Sequence, residues 1–231
     1  MAIEDAAGSA LKLPKRVALA ETVADAIAQA ISVNALEPGQ RISESALALQ
    51  TGVSRAPVRE ALKILHAQGI VSGEQNRGYR VVSFSESTVR QVLEVRMFLE
   101  GVLLRDAVAA WRQSGDPRAD LNPPLQRMRE AARAGNRAES LAADLDFHRA
   151  IAEASGNEIS RVLWEALARH VLIIFSRSEY RDDDLDAVVT QHEQFCDAVV
   201  RLVKSELDEE AQKAELETHL LQVKRMREAR A

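Results

Sequence analysis

The chain has 231 residues, of which 46% are apolar and 28% charged, with 35 acidic against 30 basic side chains and a net charge of -5. That balance describes a soluble globular protein of one large or two modest domains. A single cysteine, Cys196, excludes a disulfide scaffold and any cysteine-rich zinc finger, and it fits a reducing cytoplasm.

No stretch approaches the roughly 20 apolar residues that span a bilayer, and the acid-bearing start MAIEDAAGSA does not read as a secretory signal. The expectation is a cytoplasmic protein without a membrane partner. Net acidity argues against a general polyanion binder, but the charge is uneven. Residues 1–82 hold 9 Lys/Arg and 8 Asp/Glu, whereas the remainder holds 21 and 27. An average of this kind hides local basic surface, and it suggests two domains with different partners.

In chain order, residues 1–13 read as a loose arm. An amphipathic helix follows from Leu19, with Val23, Ile27, Ala30 and Ile31 on one face. Pro38-Gly39 forces a turn, and a short helix from about Glu44 carries Ala46, Leu47 and Ala48 until Gly52 breaks it. Ser54 is placed to cap a third helix, which tolerates Pro57 because proline is compatible with a first turn. Gly69 ends that helix, and Ile70–Val82 reads as a hairpin around Asn76-Arg77-Gly78.

Beyond Ser83 the periodicity is helical throughout. The breaks fall at SGDPRADLNPP, ARAGN, ASGN and SEYRDDD, which leaves room for about six helices. The predicted fold is mainly α. An N-terminal winged helix-turn-helix with a small β-hairpin wing occupies residues 1–83, and an all-α bundle occupies 84–231. Cys196 is expected to be an inert core residue, and Asn157 to cap a helix after Gly156.

On the third helix Val58, Ala61, Leu62 and Leu65 follow the inward i, i+3, i+4, i+7 pattern, while Arg55, Arg59 and Lys63 form a cationic stripe. A short helix, a glycine-containing turn and a basic helix make a helix-turn-helix, with a hairpin wing behind it. Solvated surface charge is the bland alternative for that stripe.

The segment ISESALALQTGVSRAPVREALKILHAQGIV, closed by NRGYRV, resembles the DNA-binding half of GntR-family bacterial transcription regulators over residues 17–82. The resemblance implies that Arg55 and Arg59 contact DNA and that Gly78 lets the wing enter the minor groove. Ser45, Ser54, Ala56 and Arg77 lie in the same neighbourhood. The family often carries Thr or Ser where this chain has Ala56. Arginine suits such a task because its planar fork grips guanine O6/N7 or a phosphate with two hydrogen bonds.

In the second half, Asp144 and His148 are four residues apart and share a helix face with Leu141, Leu145 and Ile151. That spacing suits chelation of one ion. His192 lies among Val188, Val189, Phe195, Cys196 and Val199, and His219 among Leu216, Leu220 and Val223. Each histidine alone reads as a hydrogen-bonded core residue. A buried Asp144 needs a partner, and one divalent cation would satisfy all four groups together. Three His and one Asp without thiolate point to zinc first, with nickel or manganese as alternatives.

SFSESTVRQVLEVRMFLEGVLL, the D-x3-H of DLDFHRAIAEASGN and the late histidines resemble the FCD effector domain of the FadR subfamily over residues 86–223. The resemblance implies Asp144, His148, His192 and His219 as metal ligands and a small carboxylate as effector. The separation of 27 between His192 and His219 is several residues longer than the family's usual spacing.

Arg96 lies on the stripe Val89, Val92, Leu93, Arg96, Leu99, Leu103, one turn before Glu100. It reads either as half of a buried ion pair or, by the resemblance, as a residue facing the effector. His170, beside Leu163, Ala166, Leu167 and Ile174, is a core histidine or a wall of the effector pocket.

The sequence reading is therefore a ligand-responsive regulator, not an enzyme. It is expected to be a homodimer binding a palindromic operator in double-stranded DNA. The alternatives are a metalloenzyme using the Asp/His cluster and a metal-free regulator sensing an acyl ligand.

Overall fold

The computed structural model describes residues 16–74, 78–176, 184–205 and 208–220, with the side chains of 16–18, 74 and 114 left aside. Two compact units meet in the chain between Ser83 and Phe84.

The first unit opens with α1 (Arg16–Ser32), three residues earlier than the apolar period alone suggests. Its buried face is Ala20, Val23, Ala24, Ile27, Ala28 and Ile31. A two-residue strand β1 (Arg41–Ile42) leads into α2 (Glu44–Thr51). Ser43 caps α2 by accepting from the Ala46 N–H, and Gly52 ends it at φ 68°, a left-handed turn that glycine adopts without a Cβ penalty. Helix α3 (Arg55–Ala67) then buries Val58, Ala61, Leu62 and Leu65 against α1.

Strands β2 (Val71–Glu74) and β3 (Gly78–Val81) form the hairpin, with Val71 opposite Val81 and Glu74 opposite Gly78. The sheet has three strands, however, where the sequence suggests two. The order is β1-β3-β2, and Arg41 pairs with Arg80 and Ile42 with Tyr79. A strand of two residues is too short to show an alternation, so it leaves no period to read. Ile42, Tyr79 and Val81 are buried and Arg80 is exposed, so the sheet turns one face to the small core.

Among its described residues the second unit has six helices: α4 (Glu86–Ser114), α5 (Pro117–Arg133), α6 (Arg137–Ala154), α7 (Glu158–Phe175), α8 (Leu185–Lys204) and α9 (Glu209–Leu220). Side chains with a short reach mark most of the starts. Ser85, Asp116, Asn136, Asn157 and Asp184 each accept a backbone N–H of the first turn of α4 to α8 in order.

Within SGDPRADLNPP the break is confined to Gly115 and Asp116. Pro117 opens α5, and the helix continues through Pro123 and Pro124. Leu121, Pro124, Leu125 and Met128 form one buried stripe there, and this burial outweighs the lost backbone hydrogen bonds. The core gathers Leu103, Leu104 and Trp111 of α4, Phe147 and Ile151 of α6, Trp164 and Val171 of α7, Phe195, Cys196 and Val199 of α8 and Leu216 of α9. Burial raises the Cys196 thiol pKa, as expected for an inert core cysteine.

The wing offers a direct test of this architecture. Gly73 sits at φ 125°, and a Cβ on it would run into the carbonyl oxygen of Gly78 across the hairpin. Gly73→Ala should therefore cost about 1–3 kcal/mol, measured by chemical denaturation of the full chain. An unchanged denaturation midpoint would contradict this hairpin register.

Candidate functional site

Two separate surfaces carry the chemistry, one in each unit. On the first unit Arg55 and Ala56 are exposed at the start of α3. Ser54 has the extended backbone of an N-cap, but its hydroxyl makes no capping hydrogen bond. Ser45 pairs with Ser43, Oγ to Oγ at 3.0 Å.

Arg59 is not an open cation. Its Nε and Nη2 donate to Glu44 Oε2 of α2 at 3.2 and 3.1 Å, although its side chain remains 40% exposed. Lys63 is likewise held by Glu60 at 2.9 Å. Glu44 escapes a sequence reading because it stands 15 residues before Arg59, in another helix. On the wing, Gly78 has φ 89°, and a Cβ there would press on the Arg41 guanidinium at 3.0 Å. Arg80 Nη1 donates to the Gly39 carbonyl at 3.0 Å. Arg77 lies outside the described residues.

In the second unit, α6, α8 and α9 bring His148, His192 and His219 together, and all three are buried. One ring nitrogen of each lies within 4.8 Å of the others. His148 Nε2 and His219 Nε2 are 3.4 Å apart. Asp144, 14% exposed at its side chain, places Oδ1 at 3.2 Å from His192 Nε2 and 3.5 Å from His148 Nε2.

His192 Nδ1 lies 2.8 Å from the Val188 carbonyl, an acceptor only, which assigns its ring proton to Nδ1. His148 Nδ1 lies 2.7 Å from Glu100 Oε2, and His219 Nδ1 is buried without a hydrogen-bond partner. Around the histidines Phe147 supplies the apolar wall, edge-on to His148 and His192, and Phe195 stacks flat on His219 at 4.3 Å.

Electrostatics favours the neutral rings of His148 and His219. Burial lowers the His148 pKa against the pull of Glu100. It lowers that of His219 further, with help from His192 and His148. Burial alone would raise the Glu100 carboxyl, but Arg96 and His148 outweigh it and hold the pKa below the usual range.

Arg96 is half of the buried ion pair that the sequence allows. It is buried, its Nε donates to Glu100 Oε1 at 2.5 Å, and its Nη2 lies 2.9 Å from His148 Nε2. Its guanidinium carbon also sits 5.8 Å from the Trp164 ring centre and 5.4 Å from that of Phe175. Trp164 was not singled out by sequence reasoning. It is fully buried, yet its indole N–H has no hydrogen-bond partner.

His170 does not join the cluster. It is half-buried, edge-on to Phe84 at 5.8 Å, with Nδ1 3.4 Å from the Ala166 carbonyl. The stripe drawn for it is also wrong at Leu163, which is 55% exposed. Helix α7 has two apolar faces, and Trp164, Leu167, Ala168 and Val171 make the inward one. Val223, placed beside His219 by the sequence, lies outside the described residues.

A divalent ion fits this donor set. Metal–nitrogen bonds of 2.0–2.1 Å put two tetrahedral ligands about 3.4 Å apart, matching the His148–His219 separation of 3.4 Å. Second-shell acceptors that fix the tautomer, as Val188 does here, are usual for metal-binding histidine. Asp144 Oδ1 lies beside the Nε2 atoms of His148 and His192, where a fourth ligand of one ion would stand.

The family comparisons agree with the two-unit reading. Residues 19–81 match the model for bacterial regulatory proteins of the gntR family, and residues 91–220 match that of the FCD domain. A probable D-xylose utilization operon transcriptional repressor of Paenarthrobacter nicotinovorans is 29% identical over 184 residues, 80% of each chain. The gluconate operon transcriptional repressor of Bacillus subtilis is 28% identical over 170 residues, 71% of this chain and 68% of that one.

Among solved structures, E. coli McbR/YncC superposes with a TM-score of 0.73 at 22% identity, covering 88% of this chain and 94% of that one. These families and relatives are transcription regulators rather than enzymes. No helix among the described residues is long and apolar enough to cross a membrane. The chain belongs to the gntR family of bacterial regulatory proteins, as a DNA-binding transcription regulator whose helical half is an FCD domain.

Proposed function

We propose that this regulator holds one divalent ion through Asp144, His148, His192 and His219, and that a small carboxylate binding there modulates its grip on an operator. The observation that carries the reading is the gathering of three buried histidines, one ring nitrogen of each within 4.8 Å of the others, with Asp144 Oδ1 3.2 and 3.5 Å from two of them. When bound, the ion supplies open coordination positions for a carboxylate oxygen. Arg96 supplies the cationic donor beside it. Zinc is the first candidate, and nickel and manganese are the alternatives.

Protein purified without chelators should carry about one ion per chain by the four-ligand count, read by elemental analysis. Its melting temperature should fall on chelation, because an ion that binds only the native state stabilises it. His148→Ala should lose the ion and the response to effector yet keep DNA binding. Absence of stoichiometric metal, together with no rise in melting temperature on adding zinc, nickel or manganese, would overturn the site.

The DNA contact falls on α3 and the wing. Arg55 and Arg59 are the base readers, Ser45, Ser54, Ala56 and Arg77 flank them, and Gly78 permits the close approach of the wing. Arg59→Ala should lose specific binding by roughly 1–3 kcal/mol, measured by fluorescence anisotropy at fixed salt on an operator selected from random duplexes. The half-exposed pair with Glu44 puts little stability at stake. Unchanged affinity would remove Arg59 from the interface.

The working unit is a homodimer, and its contact face lies on α4 and α7. These two helices pack side by side. They leave Val95, Phe98, Ile159, Val162 and Leu163 in solvent, with Phe98 78% and Ile159 77% exposed. An apolar patch of that kind marks an interaction surface, and a two-fold interface would match a palindromic operator. Phe98→Asp combined with Leu163→Asp should give a folded monomer by light scattering at micromolar concentration. A dimeric mass for that variant would move the interface elsewhere.

A further inference from the structure

His148 Nε2 carries one lone pair, and two claimants converge on it. Arg96 Nη2 reaches it at 2.9 Å, which is hydrogen-bonding distance for an N–H donor. A guanidinium has donors only, so Nε2 is the acceptor, and Glu100 Oε2 lies 2.7 Å from Nδ1 on the far side of the ring. An ion ligated by His148 together with His192 and His219 needs that same lone pair, because Nε2 is the nitrogen that faces both His219 Nε2 and Asp144 Oδ1.

We infer that Arg96 and the divalent ion compete for His148 Nε2, so that ion loading releases the Arg96 guanidinium from the histidine and makes it the anion receptor of the site. This inference rests on the metal reading above and adds its regulation.

The surroundings hold Arg96 in place for both arrangements. Its Nε remains on Glu100 Oε1 at 2.5 Å, and its flat face lies near the rings of Trp164 and Phe175. Only the Nη2 side has to change partners. Once parted from His148, that N–H is a buried charge-assisted donor in want of an acceptor, and a carboxylate oxygen is the acceptor that matches a guanidinium best. The neighbouring Trp164 indole N–H, buried without a partner, offers a second donor to the same class of ligand.

The site therefore takes small carboxylates only in its ion-loaded form. By reciprocity, such a ligand tightens ion binding by the same factor as the ion tightens its own.

The test is zinc affinity, measured calorimetrically on chelator-stripped full-length protein. Arg96→Lys keeps a cation for Glu100 but lacks the fork that spans Glu100 and His148. Arg96→Met fills the space between Trp164 and Phe175 without any donor. Both should bind zinc about tenfold more tightly than the unaltered chain, the effect of removing one charge-assisted hydrogen bond to the ligand atom.

In the unaltered chain, zinc should also abolish the slow solvent exchange of the Arg96 Nη protons seen by nitrogen-resolved NMR. Variants that bind zinc equally well or more weakly, the outcome of a purely structural arginine, overturn the competition and leave the metal site standing. Zinc bound by neither the unaltered chain nor the variants takes down both. Tight zinc on the variants alone supports the competition in its strongest form.

Discussion

The helical half is organised around one buried carboxylate. Glu100 is 4% exposed in the middle of a 29-residue helix, where an ionised side chain is costly unless fully partnered. Its two oxygens divide the work: Oε1 takes Arg96, one turn earlier on the same helix, and Oε2 takes His148 from α6. Through the first contact Glu100 keeps a cation buried beside Trp164 and Phe175. Through the second it decides which nitrogen of His148 faces the cluster. Substituting Glu100 by an apolar residue would leave Arg96 uncompensated and free the imidazole to flip, so the ligand geometry and the fold of α4 against α6 depend on the same two oxygens.

Much of this was legible from residue spacing, because periodicity records which side chains turn inward. The D-x3-H of Asp144 and His148 and the stripes holding His192 and His219 all fall on buried faces, and the structure gathers the histidines within a few ångströms. Arg96 announced itself in the same way. Partnerships across long separations were not legible, since no local pattern encodes them. Glu44 meeting Arg59 and Trp164 flanking Arg96 belong to that class, as does the two-residue strand β1. The inward stripe drawn through Leu163 misled because α7 is apolar on two sides, one facing the core and one exposed, and a stripe cannot say which is which.

The two halves solve unlike problems. In the N-terminal unit, function needs charges that can leave their partners for DNA, and the pairs Arg59–Glu44 and Lys63–Glu60 are half-exposed contacts of low individual worth. In the C-terminal unit, Arg96, Glu100 and His148 are buried and mutually committed. Surface networks such as Arg127 with Glu139 and Asp146, and Arg149 with Asp146 and Glu165, belong to neither task and tie α5, α6 and α7 along the outside.

The order of the cluster along the chain has a thermodynamic side. Glu100 comes from the first helix of its unit, His148 and His192 from the interior, and His219 from the last turns of α9, with 71 residues between His148 and His219 alone. Anything that bonds to these groups at once closes large loops in an otherwise linear polymer, as a cross-link does. The entropy it removes from the unfolded chain grows with the logarithm of loop length, so widely spaced ligands gain most. Helix α9 is only 12 residues long, and an isolated helix of that length is marginal in water. Under the proposed metal site, its docking and the filling of the cluster would be one cooperative event, fastening the chain's last described turn.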